Sequence, residues 1–152
     1  NLEELELEFE SLGFFLTDSP LKYYENTLQL YYGNGIEHLS LIKNEIDFIG
    51  KDVTIVGVVQ KLEAKTSRNK KPYWLFTIQE NIAINAIAFE KSKEYMMSIG
   101  NGDIIIARCK VDLEKEKEIK LIVNKAYKIT DNESIRSAID KISYGKNETY
   151  SR

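Results

Sequence analysis

Between residues 53 and 129, apolar side chains recur in five short runs divided by polar clusters, and within several runs they fall on alternate positions, the period of a β-strand. Val53–Lys65 is rich in β-branched residues and predicts a long first strand, with Gly57 expected at a bulge or bend. A polar, basic loop, Thr66-Ser67-Arg68-Asn69-Lys70-Lys71-Pro72, follows it. Tyr73–Gln79 then alternates, with Trp74, Phe76 and Ile78 on the face expected to be core and Tyr73, Leu75 and Thr77 on the other. Glu80-Asn81 signals a short turn before a third strand, Ile82–Phe89. The period changes to helical over Glu90–Ile99 and is closed by Gly100-Asn101-Gly102. Asp103–Leu113 and Ile119–Ile129 complete the strands, joined by the charged tip Glu114-Lys115-Glu116-Lys117-Glu118.

The flanks are helical. Leu2, Leu5, Phe9 and Leu12 fall at helical spacing among five glutamates, ending at Gly13 and a short apolar patch, Phe14-Phe15-Leu16. Thr17-Asp18-Ser19-Pro20 reads as a turn, with Pro20 at the first position of a helix over Leu21–Leu30. Tyr32-Gly33-Asn34-Gly35 breaks that helix, and Ile36–Phe48 is a connector of undefined form. A short helix is expected around Ser134–Ile142. The whole predicts a mainly β protein with flanking helices: a helical connector over 1–50, a barrel over 51–130, and a further segment over 131–152. One helix between the third and fourth of five strands is the layout of an OB-fold, a five-stranded Greek-key barrel, although an SH3-like or other small barrel shares this much of the pattern.

Composition narrows the chemistry. The 152 residues carry 43% hydrophobic and 30% charged side chains, ordinary for a globular domain. The longest apolar runs are far short of a membrane helix, so no membrane association is expected. A single Cys, Cys109, excludes a disulfide framework and fits a reducing compartment; a single His, His38, removes most His-dependent metal and nucleophile chemistry and is expected in a surface or packing role. There is no Asp-x-Asp pair, no phosphate-binding Gly loop and no Ser/His/Asp set, so neither a catalytic nor a metal-ligating residue is assigned. The chain begins at Asn1 without Met and reads as a piece of a longer polypeptide.

The net charge of −3 conceals opposed parts: residues 1–50 hold ten acids against two bases, residues 51–130 fifteen bases against ten acids, and residues 131–152 balance. The basic excess points to a polyanion. Lys65, Arg68, Lys70 and Lys71 fall within seven residues, with Lys61 just upstream and Tyr73 just after. In an OB barrel the loop between the first two strands, with the surface of strands two and three, forms the usual oligonucleotide groove. Cations that follow phosphates and flat rings on which bases stack are what single-strand binding needs. Tyr73 is the candidate stacking residue, Thr77 and Asn85 candidate hydrogen-bonding residues, and Arg108 and Lys110 an extension of the same positive surface. The competing reading is a solvated hairpin tip with edge-protecting lysines. Lys outnumbers Arg seventeen to four, which suits phosphate attraction better than base readout.

These residues carry a resemblance. Leu5–Tyr24, LELEFESLGFFLTDSPLKYY, is similar to the segment E-x-E-x-L-G-x-Y-L-S/T-G-H-P-L-x-x-Y that precedes the OB domain of the bacterial DNA polymerase III alpha subunit. Glu10, Leu12, Gly13, Phe15, Leu16, Thr17, Pro20, Leu21 and Tyr24 stand at matching positions. Val53–Val59 resembles that family's first strand, Thr66-Ser67-Arg68-Asn69 its Thr-Lys-Arg/Lys-Gly loop, Thr77-Ile78-Gln79-Glu80 its Thr-Leu-Glu-Asp, and Ile84–Phe89 its Ile-Glu-Val-x-Val-Phe strand, followed by Tyr95. Asp18-Ser19 replaces Gly-His, and Asn69 stands where the loop carries Gly, Asn being the next residue most tolerant of a positive φ.

The resemblance implies a non-catalytic module that binds single-stranded template DNA within a cytoplasmic bacterial replicative polymerase. The catalytic palm, a nucleotidyltransferase using Mg, lies upstream in that family and no cofactor belongs to this segment. Residues 1–50 would be the connector that follows the helix-hairpin-helix region, and residues 131–152 the start of the domain that docks the clamp-loader tau subunit. Other polymerase domains, the sliding clamp and tau would be partners through neighbouring regions. An alternative is an OB barrel that serves mainly as a protein-docking module of the holoenzyme, and a tRNA-binding OB domain is a third class that the leading segment disfavours.

Overall fold

The computed structural model describes residues 19–44, 46–114 and 118–150, the last seven of these as helix backbone only. The expectations for the leading helix, the Phe14-Phe15-Leu16 patch and the centre of the 114–118 tip lie outside the described residues. Ser19 caps a 3-10 turn, Pro20–Tyr24, its Oγ accepting from Leu21 N at 3.2 Å with Pro20 in the first turn as the sequence predicts. The turn runs into α1 (Glu25–Gln29). Gly33 (φ 76°) and Gly35 (φ 121°) then reverse the chain, bringing Tyr32 into a bridge with Ile36, conformations an L side chain rarely adopts. The connector of undefined form contains α2 (Leu39–Asn44) and a 3-10 turn, Ile46–Phe48.

Five strands follow: β1 (Asp52–Thr66), β2 (Pro72–Gln79), β3 (Ala83–Ala88), β4 (Ile104–Leu113) and β5 (Ile119–Lys128). They close in the order β1-β2-β3-β5-β4, every pairing antiparallel except β3 with β5. The stretch expected as one helix over Glu90–Ile99 is a 3-10 turn, Glu90–Ser92, then the short α3 (Lys93–Met96), anchored where Ser92 Oγ donates to the Val123 and Asn124 carbonyls of β5. This is the OB-fold, a closed five-stranded barrel with a helix between the third and fourth strands.

β1 explains how one strand serves the whole barrel. Asp52–Val58 pair with β4, and Val58–Thr66 pair with β2. Residues 53–60 are buried on both faces, which is why they read as a near-continuous apolar run. Val53, Ile55 and Val59 face the barrel interior with Trp74, Phe76, Ile78, Ile105, Ala107, Cys109, Leu121 and Val123. Burial pushes the Cys109 thiol well above its ordinary range, in keeping with a small apolar core residue. Val56 and Val58 face outward into a second core with Leu21, Leu28, Ile36, Ile104, Ile106 and Ile135.

Gly57 is not the bulge. The register shifts between Gln60 and Glu63, where Lys61 adopts φ 56° and the Leu62 N–H, freed from the ladder, donates to Asn101 Oδ1 at 2.8 Å. Gly57 answers a different need: a Cβ there would stand 2.4 Å from Ile78 Cγ2 and 3.0 Å from the Gln79 carbonyl oxygen.

The last helix is longer than its apolar pattern suggested. α4 runs Asn132–Tyr150, started by Asp131 Oδ1 accepting from Ser134 N at 2.7 Å while Ser134 Oγ accepts from Asp131 N at 3.1 Å, a reciprocal cap. Ile135, Ala138 and Ile142 lay its apolar stripe on the second core, and Thr27 Oγ1 donates to Asn132 Oδ1 at 2.8 Å. Lys141 Nζ sits 5.2 Å from the centroid of Tyr127, whose ring meets Tyr95 edge-on at 5.5 Å. Burial first, then a hydrogen bond with Tyr95 and its charge, with Glu94, push the Tyr127 phenol up to about 12. The neutral phenol is therefore favoured in the folded state, so this contribution is present below pH 10 and fades between about 10 and 12, as the unfolded chain ionises first. Melting temperature should fall across that interval, and Tyr127→Phe should flatten part of the fall in thermal scans buffered from pH 9 to 12.

Candidate nucleic-acid interface

The outward faces of β2 and β3 and the β1–β2 hairpin form the candidate surface. From Glu63 to Lys71 the chain is exposed, so the hairpin leaves the barrel as an arm. Ser67 N donates to the Lys71 carbonyl at 2.9 Å and Lys70 N to the Ser67 carbonyl at 2.9 Å, enclosing a loop of Arg68, Asn69 and Lys70. A three-residue hairpin loop needs its last residue in the left-handed region. That residue is Lys70, with φ 62°, and not Asn69. Ser67 Oγ also accepts from Lys71 N at 3.2 Å, which stiffens the tip.

Below the arm, the outward positions form a track. Tyr73 and Lys65 face each other in the ladder, as do Thr77 and Asn85. A cleft of about 700 Å³ lies between the hairpin and the end of β3, lined by Ser67, Lys71, Tyr73, Ile87, Phe89, Glu90 and Lys91. A second, of about 350 Å³, is lined by Lys61, Glu63, Leu75, Thr77, Asn85, Ile87, Glu114 and Lys120. Ile87 joins the two. Asn85 leads into a third, of about 630 Å³, walled by Lys43, Ile46, Ile49, Leu113 and Ile119. Trp74 points away, 6% exposed in the barrel core, so of these two neighbours Tyr73 is the one whose ring is on this face.

The predicted residues are not all brought together. Lys61, Lys71, Tyr73, Thr77 and Asn85 line the clefts, with Lys65, Arg68 and Lys70 on the arm above. Lys65 Nζ is shared with Glu63 Oε2 at 3.4 Å, an exposed pair that salt screens. Thr77 Oγ1 donates to the Gln60 carbonyl at 3.3 Å beside the bulge. Arg108 and Lys110 stand apart. They lie on β4, separated from β3 by β5, and Arg108 donates to Thr54 Oγ1 at 3.2 Å. Phe89, Lys91 and Lys120 are further outward residues of the track; continuing the alternation from Asn85 through Ile87 finds Phe89.

A second polar cluster seats the connector on the barrel. Glu80, in the β2–β3 turn and buried, accepts from Leu39 N through Oε1 at 2.9 Å and from His38 Nδ1 through Oε2 at 2.5 Å. Tyr32 stacks on His38 with centroids 3.8 Å apart. Burial, with the Glu80 carboxylate and its hydrogen bond, holds the Tyr32 phenol far above its ordinary range. His38 thus has partners in a packing role, Tyr32 shortly before it in the chain and Glu80 42 residues after it. Among the described residues no three His, Cys, Asp or Glu side chains are grouped to hold a metal, and no helix is long and apolar enough to cross a membrane.

With this geometry in place, the chain can be set beside known proteins. No protein-family model matches it. The DNA polymerase III subunit alpha of Buchnera aphidicola subsp. Acyrthosiphon pisum is 28% identical over 80 residues, 51% of this chain and 6% of that protein. The chain is similar to a piece of the DNA polymerase III alpha subunit. It spans only a small fraction of that relative's length. Among solved structures, the S. pombe Stn1–Ten1 complex aligns with TM-score 0.51 and 17% identity over 77% of this chain and 93% of that one. An aspartyl-tRNA synthetase from Leishmania major gives TM-score 0.51 and 13% identity over 70% of this chain and 26% of that one. At these identities the structures speak for the fold, the OB barrel, alone.

Proposed function

We propose that this chain is the non-catalytic, single-stranded-DNA-binding module of a bacterial replicative polymerase alpha subunit, guiding template strand near the polymerase active site in the cytoplasm. The observation that carries the reading is the placement of the lysines. The non-glycine residues held at positive φ among the described residues are Lys61 and Lys70, both on the candidate surface. Each holds a conformation that Gly would take without strain, at a cost of order 1 kcal/mol, and such strain gathers at functional sites. The similarity to the polymerase alpha subunit supplies the context. Polymerization and its Mg belong to other parts of such a protein, and contacts with the remaining polymerase domains, the sliding clamp and the clamp-loader tau subunit are part of the same proposal, the last two through neighbouring regions.

Few phosphates can be met by so short an arm, so binding should be weak, with a salt dependence set by the small number of phosphates met. In an anisotropy titration of labelled oligo-dT, changing Arg68, Lys70 and Lys71 together to Ala should weaken binding roughly tenfold or more at low salt. It should also make the log–log salt slope shallower by about 2, since each phosphate contact on a single strand contributes about 0.7. Unchanged affinity in that variant would remove the hairpin from the interface.

One observation favours the protein-docking alternative: the 630 Å³ cleft has apolar walls, and Ile46 on its rim is 82% exposed. Cross-linking from that rim to neighbouring polymerase domains, with no single-strand binding even at low salt, would make docking the main role.

A further inference from the structure

The larger cleft beneath the hairpin has a composition that phosphate attraction alone does not require. Trp74 pairs with Ala88 across β2 and β3, so Tyr73 and Phe89 stand at the next cross-strand position, both facing outward. Phe89 is 44% exposed, an apolar ring the barrel core does not use. Ile87 lies between the rings and the second cleft, and two cations reach the same space from separate elements, Lys71 from the hairpin and Lys91 from the 3-10 turn after β3. Glu90 places one carboxylate among them.

We propose that this cleft seats one unpaired nucleobase bearing an exocyclic amino group, stacked against Phe89 and Tyr73. Lys71 and Lys91 hold the adjoining phosphates and Glu90 accepts from the amino group. The proposal rests on the single-strand reading above and adds a base preference to it. A volume of about 700 Å³ is within the range of clefts that enclose small ligands, roughly 300–1,000 Å³, and two lysines beside flat rings match a nucleotide's anionic and aromatic halves. A carboxylate accepts from the amino group of cytosine or adenine. Thymine offers it a single N–H flanked by two keto oxygens, which it repels.

The test is an anisotropy titration of the whole chain with labelled dC12 and dT12 at low salt. The native chain should bind dC12 at least threefold more tightly than dT12. Glu90→Gln, whose amide both donates and accepts, should bring the two within a factor of two. Phe89→Ala should weaken dC12 roughly tenfold, as expected for the loss of one stacked base, while Phe89→Tyr keeps the ring and the affinity. Circular dichroism should show the barrel intact in each variant. Native-like dC12 affinity in Phe89→Ala, or a dC12 preference that survives Glu90→Gln, would overturn the base seat. If both oligonucleotides bind, depend on Arg68 and Lys70, and ignore Phe89 and Glu90, only this inference falls. If neither binds the native chain, the single-strand reading falls with it.

Discussion

Gly57→Ala is expected to destabilise the chain by about 3 kcal/mol, at the upper end of what one extra methyl costs in a packed core. Position 57 is where β1 passes from β4, through the Gly57–Ile105 pair, to β2, which it first meets at Val58. Its side-chain direction is inward, in phase with Ile55 and Val59, and the space is already filled by Ile78, which is fully buried. The new Cβ would stand 2.4 Å from Ile78 Cγ2 and 3.0 Å from a backbone oxygen that has no rotamer to change. Urea unfolding should show the loss as a lower midpoint with unchanged slope. In an Ile78→Ala background the same substitution should cost clearly less, because its methyl enters the vacated space; strict additivity would mean that the two residues do not compete.

The second large effect is at Glu80. Glu80→Ala should cost about 2 kcal/mol, since removing this buried carboxylate leaves the buried Leu39 N–H without its acceptor, whereas His38, 44% exposed, can turn to water. The Leu39 N–H loses its acceptor, His38 loses its 2.5 Å partner, and the stacked Tyr32 loses the carboxylate at its phenol. Glu80→Gln keeps an acceptor for Leu39 and should lose less than half as much. The damage should also be local first: hydrogen exchange at Leu39–Ile42 should accelerate in Glu80→Ala more than exchange in β4, because the network ties the connector to the barrel. Equal acceleration in both would show that Glu80 acts only through global stability.

What the sequence made legible follows from periodicity. Trp74, Phe76 and Ile78 alternate with Tyr73, Leu75 and Thr77, and the barrel sorts them into core and surface as that alternation predicts. The five strands and the helix between the third and fourth were readable for the same reason. What was not readable depends on partners distant in the chain. The bulge sits at Lys61–Leu62 because Asn101, far along the chain, receives the freed N–H, whereas Gly57 is small because Ile78 is across from it. The carboxylate that His38 meets is equally invisible to local pattern, because Glu80 is 42 residues away. Lys70 rather than Asn69 takes the left-handed position because hairpin length fixes that place, and composition only tolerates it. In the candidate interface, Tyr73, Thr77 and Asn85 were legible from their strand phase, while Phe89 shares the outward phase of Asn85 and Ile87 but is an apolar ring of the kind that composition assigns to a core.

The parallel seam between β3 and β5 has a consequence of its own. It closes the barrel through Asn85–Lys120, Ala86–Leu121 and Ile87–Ile122, a shorter run than any other pairing in the cylinder. It joins strands some 35 residues apart in the chain through the fewest paired positions in the cylinder, so it acts as a clasp and is the natural place for the barrel to spring open. Asn85, Ile87 and Lys120 line the track on its outer side. A strand of nucleic acid lying along that track would span the clasp and hold it shut, so that ligand and fold would tighten each other.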